Sequence, residues 1–86
     1  MEISDHARKR LKERLNDADA EGVFAYLLGS GHPATEEEFK RFRTKPAEGR
    51  AYWVGRRKGV LVMVVVDVAT DRFVTILRKD CQDGKL

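Results

Sequence analysis

Three basic side chains near the N-terminus, His6, Arg10 and Arg14, recur every four residues. At about 100° per residue a helix stacks them in one stripe. An imidazole can take up or release a proton near neutral pH, and two guanidinium groups can hold a phosphate or stabilise charge building on it. Like charges at i, i+4 cost a few tenths of a kcal/mol in an isolated helix, which an acidic neighbour or a bound anion would offset. The same spacing also builds an ordinary solvated basic face, softened here by Asp5 and Glu13.

A second group interleaves bases with aromatics: Arg50, Tyr52, Trp53, Arg56, Arg57 and Lys58. That mixture suits phosphate contact with base stacking, and equally a core Trp beside a soluble hairpin tip. Near the C-terminus Thr75 and Arg78 add a hydroxyl and a cation. His32, next to Pro33 in a Gly-containing segment, reads as an exposed loop histidine. Two histidines 26 positions apart, with no third ligand nearby, do not make a metal site, and neither a metal nor another cofactor is expected. The chain contains no phosphate-binding P-loop, zinc-finger spacing or dinucleotide-binding glycine motif. Its one cysteine, Cys81, cannot form an internal disulfide and has no adjacent base.

The elements that must carry these groups follow from periodicity. Ser4 is a good N-cap, and Ile3, Ala7, Leu11 and Leu15 recur every four residues, which predicts a helix over 4–16. His6, Arg10 and Arg14 lie roughly 80° around that helix from its apolar stripe, at the border between core and solvent. Ala20, Val23, Phe24, Leu27 and Leu28 predict a second, core-facing helix over 18–28. Thr35 and Glu38 form a capping-box pattern opening a short third helix through Phe39 and Phe42. After Arg50 the pattern turns to strand: 51–54, the Val-dominated 60–68, and 73–77, joined by segments short enough for hairpins. The expected fold is α+β, with N-terminal helices packed on a three- to four-stranded antiparallel β-meander. One domain over 1–78 and a polar tail over 79–86 are expected.

Composition bounds the functional classes. The 86 residues are 42% hydrophobic and 36% charged, which fits a small globular domain rather than a membrane span or a disordered segment. The longest apolar run is Val60 to Val66, whereas a bilayer span needs about 20 residues. No secretory signal pattern is visible at the N-terminus, so a cytoplasmic protein is expected. The net charge of +3 is a remainder of sorted blocks. Residues 15–39 hold six acids and no Lys or Arg, while residues 40–58 hold eight bases against Glu48 alone. Charge sorted in this way steers a charged partner even when the whole molecule is nearly neutral.

His6-Ala7-x-x-Arg10-x-x-x-Arg14, together with the closing Val74-Thr75-Ile76-Leu77-Arg78 strand, resembles the DUF4258 family. That family is grouped with RelE-like toxins in the barnase–EndoU–colicin–RelE class of metal-independent ribonucleases. The resemblance implies RNA as partner, bound on a sheet face framed by helices, with the RNA's own 2′-hydroxyl as nucleophile. By position it implies His6 as base or acid, Arg10 and Arg14 as electrostatic groups, and Thr75 on a phosphate oxygen. Arg50, Tyr52, Arg56, Arg57, Lys58 and Arg78 would extend the nucleic-acid surface. The segment 16–20 and the Glu36-Glu37-Glu38 run depart from the family pattern and add acid. A ribosome-associated substrate, a cognate antitoxin and a homodimer through the two-faced Val strand all fit this frame. The alternative is a non-catalytic phage or mobile-element module that docks on a host enzyme through its charge blocks. DNA binding without catalysis is a third reading, marked by steep salt dependence on duplex.

Overall fold

The computed structural model describes residues 2–79. The elements run β1 (Glu2–Ile3), α1 (Asp5–Leu15), α2 (Ala20–Ser30), β2 (His32–Pro33), α3 (Glu36–Arg41), β3 (Arg50–Arg57), β4 (Val60–Asp67) and β5 (Arg72–Lys79). The fold is α+β with its helices before the long strands, as the periodicity predicts. Among the described residues the sheet has five strands rather than three or four, in the order β1-β5-β4-β3-β2. The two additional strands are two-residue edge pieces: β1 runs parallel to β5, and β2 antiparallel to β3. Lys79, expected to open the tail, instead closes β5, and the rest of the expected tail, 80–86, lies outside the described residues.

The helices start and stop where local chemistry dictates. Ser4 Oγ accepts the Ala7 N–H at 3.0 Å, and Asn16 ends α1 in the left-handed region with φ 53°, a conformation Asn tolerates. Asp19 caps α2, accepting from the Gly22 N–H. The α3 capping box forms as its sequence predicts: the Thr35 hydroxyl takes the Glu38 N–H, and the Glu38 carboxylate takes the Thr35 N–H. Between β3 and β4 the turn is only Lys58-Gly59, both at positive φ (56° and 80°). This two-residue turn matches strand twist and extends β3 through Arg57, beyond the predicted end at Val54.

Side-chain alternation gives the sheet two faces. Val62, Val64 and Val66 of β4, with Phe73 and Ile76 of β5, pack against Ala7 and Leu11 of α1 and Ala20, Val23, Phe24 and Leu27 of α2. Phe24 and Phe73 stack at the centre of this core, with ring centroids 4.3 Å apart. The opposite face carries Arg50, Tyr52, Val54 and Arg56 from β3, and Leu61, Met63, Val65 and Asp67 from β4. Val54, Met63 and Val65 are buried there as well, and Phe39 of α3 packs edge-on against Tyr52 with centroids 4.9 Å apart. The two-sided apolarity of the Val strand is thus covered within one chain.

Candidate functional site

His6 and Thr75 share one concavity although they are 69 positions apart in the sequence. With Ser4, Arg50, Asp67, Thr70, Arg72 and Val74 they line an open concavity of about 420 Å³. Three elements build it. The N-cap of α1 brings Ser4 and the exposed His6 to the edge of β5. The register of β3 against β4 sets Arg50 opposite Asp67, and that of β4 against β5 sets Asp67 opposite Arg72. An irregularity in the β4–β5 pairing between Val65 and Val66 leaves Val74 as an extra residue between Phe73 and Thr75. A bulge of this kind bends the strand and re-aims its side chains; here it adds Val74 to the lining.

The polar groups in the concavity are unevenly committed. Arg72 is paired with Glu2, from Nη2 to Oε1 at 2.8 Å. One Asp67 oxygen accepts the Ala69 N–H at 3.1 Å. Ser4 Oγ reaches the Val74 carbonyl at 3.4 Å. Among the described residues, the side chains of His6, Arg50 and Thr75 make no hydrogen bond or ion pair. A proton-transfer group, a guanidinium and a hydroxyl are therefore available to a ligand, with a second guanidinium nearby. That set can bind an anion and exchange one proton with it.

The other expected site residues do not join this group. Arg10 does not line the concavity; its Nη1 donates to Glu13 Oε1 at 2.5 Å, and that bond holds the exposed Glu13 carboxyl below its ordinary range. Arg14 leans onto β5 and donates to the Ile76 carbonyl at 2.5 Å. Arg78, on the helix-covered side of β5, donates back to the Arg14 carbonyl. These two arginines fasten α1 to the last strand.

The β3 bases divide by strand alternation. Arg50, Tyr52 and Arg56 occupy the face opposite α1 and α2, and Arg56 bends to the Gly59 carbonyl in the hairpin at 3.5 Å. The Tyr52 hydroxyl accepts the Ala47 N–H at 3.1 Å, which fixes its ring under the α3–β3 loop. Arg57 turns to the helix side, where it lies 3.3 Å from Asp17 and 5.5 Å from the centre of the Tyr26 ring. Lys58 also approaches Asp17, at 3.6 Å. Asp17 is held below the ordinary carboxylate range first by the Asp19 N–H, against the opposing effect of burial, and then by Arg57 and Lys58.

Sequence reasoning found His6, Thr75 and Arg50, and missed Ser4, Asp67, Thr70 and Arg72 as companions. Asp67 and Arg72 belong to a stretch whose charges balance, and only strand register puts them beside Arg50. His32, read as a loop histidine, lies in β2 and pairs with Glu38 at 2.8 Å. Among the described residues no three His, Cys, Asp or Glu side chains cluster as metal ligands do. No described helix is long and apolar enough to cross a membrane. No protein-family model, curated protein or solved structure matches the chain.

Proposed function

We propose that this protein binds single-stranded RNA in the concavity at the N-terminal end of α1 and cleaves it without a metal, in the manner of RelE-like ribonucleases. The observation that supports the reading is that His6 and Thr75 share an open concavity with Arg50 and Arg72. Arg50 and Arg72 hold a phosphate by charge-assisted hydrogen bonds, and the Thr75 hydroxyl orients one of its oxygens. His6 takes the proton of the adjacent ribose 2′-hydroxyl. The 2′-oxygen then attacks phosphorus, the bond to the 5′-oxygen breaks, and water protonates the leaving oxygen. The products are a 2′,3′-cyclic phosphate and a free 5′-hydroxyl. Arg10 and Arg14, assigned electrostatic roles by the family resemblance, have structural partners instead, so the proposal transfers that role to Arg50 and Arg72.

The test is incubation with single-stranded RNA in EDTA, followed by detection of cyclic-phosphate ends. Wild type and Arg10→Ala are expected to cleave. His6→Ala is expected to abolish cleavage with its melting temperature unchanged, since His6 is exposed and makes no side-chain bond. Arg50→Ala is expected to weaken RNA binding and reduce its salt dependence. Absence of wild-type cleavage, on free RNA and on ribosomes, would overturn the ribonuclease reading in favour of a docking module.

A further inference from the structure

A second and larger concavity lies away from the His6 site. It has a volume of about 640 Å³ and is lined by Glu36, Phe39, Lys40, Arg43, Thr44, Lys45 and Pro46. Phe39 and Pro46 supply its apolar lining, and its charged rim is mainly cationic. Arg43 stands in the left-handed region with φ 56°, where the chain turns out of α3. Among the described residues Lys40, Arg43 and Lys45 make no ion pair. Glu36 is the only acid in the lining.

We infer that this groove docks an acidic, amphipathic segment of a partner protein. Three rim cations against one carboxylate set the sign of the partner's charge, because a neutral or basic segment would leave them uncompensated as they desolvate. The apolar lining calls for a side chain such as Leu or Trp as anchor, which is how amphipathic segments engage grooves. Single-stranded RNA fits less well: a stacking platform needs an open aromatic face, and Phe39 is half-buried with its ring engaged by Tyr52. Glu36 fixes direction, since the partner's carboxylates are repelled from that end and gather along Lys40, Arg43 and Lys45. The inference stands independently of RNA cleavage, because no residue is shared between the two concavities.

Fluorescence anisotropy of the full chain tests it with four labelled probes. These are an acidic peptide carrying Leu and Trp anchors, the same peptide with the anchors changed to Ser, its charge-reversed counterpart, and a single-stranded RNA. The acidic anchored peptide is expected to bind at least about tenfold more tightly than the other two peptides. The variant Lys40→Glu/Lys45→Glu changes only exposed side chains and is expected to lose that binding while keeping RNA affinity. Equal binding of all three peptides would overturn the inference. Loss of RNA binding with peptide binding intact would do the same, and would assign the groove to an RNA track.

Discussion

The Arg14 guanidinium faces a backbone carbonyl rather than a ligand, and its geometry explains why. Among the described residues no strand lies beside the outer edge of β5 beyond Phe73, because β1 covers only Arg72 and Phe73. An open edge of this kind invites pairing with other chains. Ser4 satisfies the Phe73 carbonyl through its backbone N–H at 3.0 Å, and Arg14 satisfies Ile76. Replacing Arg14 with Met is expected to cost about 1–3 kcal/mol of unfolding free energy in urea and to raise concentration-dependent association in sedimentation. The proposed RNA cleavage, measured per folded molecule, is expected to stay unchanged. The stripe at 6, 10 and 14 was legible from spacing, but its three different assignments were not. Helical periodicity places a residue on a face, whereas its partner depends on which strand reaches that face. The same limit separates Arg56 from Arg57: neighbouring in sequence, they point to opposite sides of the sheet.

At the scale of elements, α3 and its cap are the clearest match between sequence and structure, since a capping box is written entirely in local residues. Thr35→Ala is expected to remove about 1 kcal/mol from this region, measured by amide exchange across α3. The helix is also expected to loosen in acid. Burial of Glu38 opposes its ionisation, yet the Thr35 N–H and the His32 side chain outweigh that and hold the carboxyl below its ordinary range. A carboxylate with a depressed pKa stabilises the folded state above the unfolded carboxyl's range and loses that effect as pH falls through its own. Exchange protection in α3 should therefore hold at neutral pH and fall in acid, and His32→Ala should move that loss to higher pH. The edge strands β1 and β2 were not legible, because two residues carry no period. The Lys58-Gly59 turn was hidden for another reason. Arg56 and Arg57 read as a polar hairpin tip, whereas Arg57 buries its stem on the helix side between Asp17 and Tyr26.

For the whole molecule, close approach between layers matters more than any single polar contact. Gly31, between α2 and β2, sits so near β3 that an added Cβ would collide with the Val54 carbonyl and lie 2.7 Å from that of Leu27. Gly31→Ala is expected to cost about 1–3 kcal/mol by overpacking, seen as a lower urea midpoint. Gly29→Ala, with open space around it, should not show this. The α+β class was legible because helical and strand periods occupy separate halves of the chain. The sheet order was not, because nothing local announces that β1 joins β5. That pairing has a consequence for how the protein is born. Glu2 bonds to Arg72, Ser4 to Val74 and Arg14 to Ile76, at sequence separations of 62 to 70. A nascent chain emerging from the ribosome displays α1 long before β5 exists to receive it. The Ala7–Leu11 stripe must wait, exposed to chaperones and neighbouring chains, until the last strand has been synthesised.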